Sequence, residues 1–381
     1  MLRHLSAAHH VTYLSYYEGN RDREYEQEIA REIPGTVPLP TGRAAPTGFN
    51  RHLNYLGSLP GTMPYAVSRF FAQPVKQTVT EWLGSGRFDV AICDFLASTP
   101  NFPVVLPTPT VLFQHNVETV LWHRRAQCGN LVDRLTARVE ARKMARYEGS
   151  QVRRFHRVVT VSEQDCRATV ALAGSLRISV VPTGVDLASY RYDPELCPSE
   201  PLVMFTGSMD WQPNIDGVEY FCREIWPLVL GRVPQARFRI VGRNPVPRVR
   251  RLSSDSVEVT GTVPSIVDQL REAAVVVVPL RVGGGTRIKI YEAMAMGKAI
   301  VSTSVGAEGL DVRHEDDVLL ANDAETFSGY VVRLLSDRTL RRRYESAAAI
   351  TAKQYDWSAV TAQFVRILEV VVCSSTIVSR S

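Results

Sequence analysis

The densest run of reactive side chains in the sequence is Val278-Pro279-Leu280-Arg281-Val282-Gly283-Gly284-Gly285-Thr286-Arg287-Ile288-Lys289-Ile290-Tyr291-Glu292. Its pattern predicts a buried strand ending at Pro279, a glycine turn, and a helix starting near Thr286. Lacking Cβ atoms, Gly283, Gly284 and Gly285 let the backbone come close to a ligand. The helix start turns unpaired N–H groups and the positive end of its dipole toward an anion. Arg281, Arg287 and Lys289 add full charges at the same place. A diphosphate needs that combination, and Glu292, further along the helix, can accept hydrogen bonds from vicinal hydroxyls. A plain strand–helix turn with solvated cations uses many of the same residue types. Position favours the ligand, because parallel sheets bind at the C-terminal edges of their strands.

Two residues in the first half sit at comparable places. His115 closes the apolar strand Val111-Leu112-Phe113-Gln114 and reads as a site residue, the bland alternative being a satisfied histidine under a loop. Asp94 follows Val90-Ala91-Ile92-Cys93 and reads either as a helix or loop cap or as a catalytic carboxylate at the site's edge. The segment Leu121 to Arg157 carries ten Lys and Arg against Asp133, Glu140 and Glu148. A solvated helix face explains it most simply. The alternative is a surface for anionic lipid, and so for a lipid-linked acceptor at the inner face of a membrane. No groove-reading or aromatic-interleaved motif accompanies the charge, so no nucleic acid is expected.

These groups need a scaffold. A chain of 381 residues, 45% apolar and 22% charged with a formal charge of +5, suits two folded α/β domains. The six cysteines are scattered, with no Cys-x-x-Cys pair and no zinc-like cluster, as in a reducing compartment. The N-terminus is too polar for a secretory signal and no apolar run approaches a membrane span, so a cytoplasmic protein is expected. Strands are predicted at 11–16, 88–93, 110–114, 158–161, 203–206, 238–241, 257–260, 275–279 and 299–303. Helices are predicted at 213–230, 264–273, 286–296 and 324–354, the last broken near Ser336-Asp337. Alternation of the two kinds of element is the pattern of parallel sheets covered by helices.

With those residues in view, the sequence resembles the retaining group 1 glycosyltransferases over nearly its whole length. The resemblance rests on Glu292-Ala293-Met294-Ala295-Met296-Gly297, on Lys298 to Thr303 and Gly306 to Gly309, and on Phe205 to Trp211. It also includes Val180 to Asp186, His115-Asn116-Val117-Glu118 and Val161-Ser162-Glu163. It implies the GT-B fold, two Rossmann-like, doubly wound parallel-sheet domains facing across a cleft. The expected divisions are 1–195 on the acceptor side, 196–356 for the nucleotide-sugar, and a helix from 357 to 381 crossing back to the first domain. The resemblance further implies that Glu292 holds the ribose hydroxyls and that Gly261 and Val263 line the nucleobase. Gly207 and Ser208 would approach the donor phosphates, and His115 would face the transferred sugar.

The implied activity moves a sugar from a nucleotide-diphosphate sugar to a glycan, lipid-linked or small-molecule acceptor with retention of configuration. Cell-surface polysaccharide biosynthesis is one setting for it. The leaving phosphate could itself take the acceptor's proton. No metal is expected, since no Asp-x-Asp motif lies in the site segments, and cations with helix N–H groups would meet the diphosphate charge. Two departures stand out. Gly284 replaces the first acid of the family's paired-Glu motif, and Ser208 stands at a customary Arg position with no Lys following. A catalytically silent sugar-nucleotide-binding partner subunit is the alternative reading, and a nucleotide-sugar epimerase of the same architecture a weaker third. The family's first strand and glycine loop also have no counterpart, so the natural chain is expected to extend upstream by on the order of 20–30 residues.

Overall fold

The computed structural model describes the chain except for residues 43–54, 56, 58–60, 128–130, 175–176, 197, 199, 284–286 and 379–381. It divides into two compact units, Met1–Pro182 with Thr361–Ser381, and Thr183–Val360.

The first unit runs α1 (Leu2–Ala8), β1 (Tyr13–Tyr17), α2 (Arg23–Glu32), β2 (Thr36–Pro40), α3 (Tyr65–Ser68), α4 (Gln73–Gly84) and β3 (Ala91–Asp94). It continues with β4 (Thr110–Gln114), α5 (Glu118–Arg125), α6 (Leu131–Arg154), β5 (Arg157–Thr160), α7 (Glu163–Ala173) and β6 (Ile178–Val180). Its strands fall into two parallel sheets, β1-β2 and β3-β4-β5-β6. Every residue of β4 is buried, as an interior parallel strand requires, whereas β1 has no fully buried residue. Sequence reading missed β2 because Pro38 and Pro40 interrupt it; among the described residues it pairs only with β1, where a proline costs no ladder bond on the open side. The β3–β4 register sets Asp94 opposite Phe113, which brings Asp94 to the end of the strand that His115 follows.

The second unit opens with β7 (Leu202–Thr206), α8 (Gln212–Tyr220), α9 (Trp226–Leu230), β8 (Arg237–Val241), α10 (Pro247–Arg250) and β9 (Val257–Gly261). There follow α11 (Ile266–Glu272), β10 (Val275–Val278), α12 (Ile288–Ala295), β11 (Ala299–Ser302), β12 (Leu319–Leu320), α13 (Ala324–Ser336) and α14 (Arg338–Ala352). Its six parallel strands lie in the order β12-β11-β10-β7-β8-β9. The chain winds outward one way from β7 through β8 and β9, then returns to β10 and winds the other way. The strand order therefore reverses between β7 and β10, where an open sheet leaves a crevice at its C-terminal edge. Beneath it lies the core of Phe205, Phe221, Phe238, Phe327 and the Val275–Val278 run. Each such side chain contributes about 1.5–3 kcal/mol by leaving water.

Three sequence expectations are adjusted. The helix read as 213–230 is interrupted at Phe221–Ile225 by a π turn, just before Pro227, which has no N–H to continue the ladder. The unit boundary falls at Pro182/Thr183 instead of 195/196. The intervening segment is held to the second unit: Val185 N–H donates to Tyr355 O, and Trp357 fills the space beside Gly184 that a Cβ would need. Lastly, the window Trp357–Ser374 of α15 (Trp357–Val378) is apolar enough to cross a membrane by length and mean hydropathy, although no uninterrupted apolar run is present. Its Val360, Phe364 and Val371 are buried, and Gln363 donates to Val180 O.

Candidate active site

In the second unit, the crevice between β7 and β10 is built from close backbone approaches. A Cβ on Gly242, after β8, would lie 1.6 Å from Gly207 O, so the loops after β7 and β8 touch main chain to main chain. A Cβ on Gly207 would lie 2.6 Å from Asn214 Nδ2 and 2.7 Å from Lys289 Nζ. Gly207 thus makes room for a polar chain beneath it. Lys289 Nζ donates to Asn214 Oδ1 at 2.9 Å, and Asn214 Nδ2 donates to Ser208 O at 2.9 Å. The ammonium lies 4.1 Å from the centre of the Phe205 ring. Burial first, and Arg287 second, push the Lys289 pKa down to about 7.

The helix after the glycine turn begins at Ile288, two residues later than its sequence suggests, and its N-cap residue Arg287 makes no side-chain capping bond among the described residues. Arg287 stands at the N-cap, buried, with its guanidinium 5.6 Å from the Trp211 ring centre. Gly283 has φ +118, and a Cβ there would come within 3.1 Å of both Arg287 Nη2 and Pro213. Gly284, Gly285 and Thr286 lie outside the described residues. Glu292 accepts a hydrogen bond from the Tyr190 hydroxyl at 3.0 Å, and burial holds its carboxyl above the usual carboxylate range. Arg281 is placed differently from Arg287 and Lys289. It grips Asp216 of α8 through two hydrogen bonds, at 2.7 and 3.1 Å, and lies 4.5 Å over Tyr220.

Ser208 belongs to a network that sequence reading missed. Its hydroxyl donates to Asp210 Oδ1 at 2.6 Å and accepts from Arg243 Nε at 3.1 Å, while Asn244 donates to the other Asp210 oxygen. Arg243 follows β8 and therefore brings a cation to the loop where Ser208 replaced one. The signal was available in Gly242-Arg243-Asn244-Pro245, a turn sequence at a strand's C-terminal end, with Asn244 at φ 54. Gly261, at φ 74, ends β9 and lines a cavity of about 510 Å³ together with Asn244, Arg250, Ser253 and Thr260. Val263 lies two residues on and packs against the core.

In the first unit the two catalytic candidates meet. His115 Nε2 and Asp94 Oδ1 are 2.7 Å apart, both part-exposed, so the Asp94 carboxylate is directed at an imidazole and not at a helix end. The imidazole lies 4.1 Å from the Phe95 ring and 4.5 Å from the Phe113 ring. The loop carrying His115 is pinned by Glu148 of α6, which is fully buried. Its carboxylate accepts from Gln114 Nε2 (2.8 Å), Glu118 N (3.0 Å), Thr119 N (2.8 Å) and Thr119 Oγ1 (2.6 Å). One acidic side chain therefore caps α5 and anchors the strand end before His115. In the sequence Glu148 was only one acid among many bases. Burial and the nearby Glu148 push the Glu118 pKa up to about 7.

The family described as "Glycosyl transferases group 1" matches residues 200–337, which span the crevice from β7 to α13. The phosphatidyl-myo-inositol mannosyltransferase of Mycolicibacterium smegmatis is 26% identical over 370 residues, covering 92% of this chain and 87% of the relative. The Mycobacterium leprae protein of the same name is 26% identical over 391 residues, with coverages of 96% and 93%. Among solved structures, sucrose-phosphate synthase from Thermosynechococcus elongatus superposes with a TM-score of 0.71 at 17% identity, over 98% of this chain and 92% of that one. Anabaena HepE, in complex with UDP and glucose, superposes with a TM-score of 0.60 at 15% identity, covering 93% and 91%. Residues 200–337 carry a group 1 glycosyltransferase domain, and the chain has the GT-B fold. It is a glycosyltransferase.

Proposed function

We propose that the second unit binds a nucleotide-diphosphate sugar and that the sugar passes, with retention of configuration, to a glycan, lipid-linked or small-molecule acceptor. One observation carries this reading: Gly207, Ser208, Arg287, Lys289 and Glu292 gather around the point where the strand order reverses between β7 and β10. In this reading Arg287, Lys289 and the start of α12 meet the diphosphate, without a metal ion. Glu292 takes the ribose hydroxyls, and the cavity beside Gly261 lies toward the base. Arg243 supplies the charge that Ser208 does not, and Arg281 acts through α8. The UDP held by HepE supports a nucleoside diphosphate as the ligand class.

His115, oriented by Asp94, contacts the reacting sugar, and the leaving phosphate takes the acceptor's proton. The mannosyltransferase relatives, named for a phosphatidylinositol acceptor, support a lipid-linked substrate. A cytoplasmic enzyme at the inner face of a membrane, working in cell-surface glycan synthesis, fits that acceptor. The test is nucleotide binding by titration calorimetry across a panel of nucleoside diphosphates. Replacing Arg287 and Lys289 with Ala together should weaken the preferred nucleotide by about 10²–10⁴-fold, since charge-assisted hydrogen bonds contribute about 1.5–3 kcal/mol each. Unchanged affinity in a folded double variant would sink the assignment.

A further inference from the structure

Phe95 is the residue between Asp94 and the 3₁₀ turn Leu96–Asn101, and its backbone sits at φ 65, ψ 144. Residues with a Cβ seldom adopt that region, which glycine occupies readily. A large aromatic residue there is held against its own preference. Its N–H donates to Phe113 O at 2.9 Å, extending the β3–β4 ladder by one bond, and its C=O accepts from Ser98 N at 3.1 Å. Those two bonds fix the backbone, and the resulting direction lays the ring on the His115 imidazole, with 4.1 Å between centres and 27° between planes. Phe95 remains 45% exposed, so burial of apolar surface does not account for its position.

We propose that Phe95 is a positioning residue for His115, its unfavourable backbone angle retained because it places an aromatic platform against the imidazole. The inference rests on the reading of His115 as a residue of the reaction. Asp94 and Phe95 then act as one unit made of consecutive residues. Asp94, a carboxylate that accepts, holds the Nε2 edge of the imidazole, while Phe95 fixes the plane of the ring. Phe113 closes the other contact and is itself stacked on Phe364 at 5.2 Å. The imidazole is thus fixed in orientation while 31% of its side chain stays open to a ligand.

The experiment compares F95G and F95A in the full chain, by steady-state kinetics and by NMR of the His115 ring. Gly accepts φ 65 without strain, so F95G should melt no lower than F95A. Both variants should lower kcat by about tenfold or more with little change in donor KM, because a misplaced reacting group costs rate and not ground-state binding. In both, the His115 ring protons should move downfield as they leave the shielding face of Phe95. A folded F95G that keeps the wild-type kcat, or the wild-type His115 resonances, overturns the proposal. An H115A control with full turnover would remove His115 from the reaction instead, an outcome that the ring shifts distinguish from failure of the stacking itself.

Discussion

Lys289 carries much of the reading at the scale of single residues. Its ammonium is held by Asn214 and the Phe205 ring, and its pKa is pushed down to about 7 against an ordinary lysine value above 10. Between those two values the unfolded chain holds a proton that the native chain does not, so this group makes stability rise with pH across that window. A bound diphosphate reverses the preference by stabilising the ammonium. Nucleotide affinity should therefore fall as pH rises through about 7 to 8, with proton uptake on binding that calorimetry in buffers of different ionisation enthalpy would read. Pairs like Lys289–Asn214, 75 residues apart, were beyond sequence reading, which identified the cation but not what holds it.

Glu118 makes the opposite case. Its pKa is pushed up to about 7 by burial and by Glu148, so the native state holds a proton between about 4.5 and 7 that the unfolded chain has released. The associated stability is present below the unfolded value and is lost as pH rises through about 7. E118Q should therefore raise the melting temperature at pH 8 and change it little at pH 4.5, the difference corresponding to on the order of 1–3 kcal/mol. Equal effects at both pH values would show that Glu118 is ionised freely in the fold.

At the scale of elements, α6 shows how far periodicity can be read. Seven cations over three acids look like a solvated face, yet Glu140 and Glu148 are buried beside Ala137, Ala141, Met144 and Val152. Glu140 accepts from Tyr65 N at the start of α3, and Glu148 caps α5. The outward side instead exposes Leu131, Val132, Leu135 and Val139 among Arg138 and Arg142. Apolar side chains beside arginines are what an anionic membrane surface attracts. R138E with R142E should reduce co-sedimentation with phosphatidylserine-containing vesicles by about tenfold or more, since each cation near such a surface contributes about 1 kcal/mol. L135D should do likewise without lowering the melting temperature; undiminished vesicle binding would return the helix to a solvated role. Elements with long apolar runs, such as β4, β7 and β10, were legible in advance. Those set by tertiary contact, such as the two-residue β12 and the proline-bearing β2, were not, because nothing local distinguishes them from loop.

At the scale of the whole chain, the fold class was legible because alternation of apolar strands and amphipathic helices leaves few solutions other than helix-covered parallel sheets. Which residues meet depends on strand order and register, and neither is written locally. His115 and Asp94 were each singled out, but their contact follows from the β3–β4 register. The glycine turn was prominent, whereas Arg243 reached Ser208 only through the β7–β8 pairing. The central claim, a nucleotide-sugar transferase whose own side chains meet the leaving diphosphate, is tested most directly by turnover. Purified protein is incubated with a panel of nucleotide-diphosphate sugars in excess EDTA, and release of nucleoside diphosphate is followed with and without lipid or glycan acceptors. Release from one donor, accelerated by an acceptor and unchanged by the chelator, is the predicted result; loss of turnover in EDTA that added Mg²⁺ or Mn²⁺ restores, or no release from any donor, would contradict it.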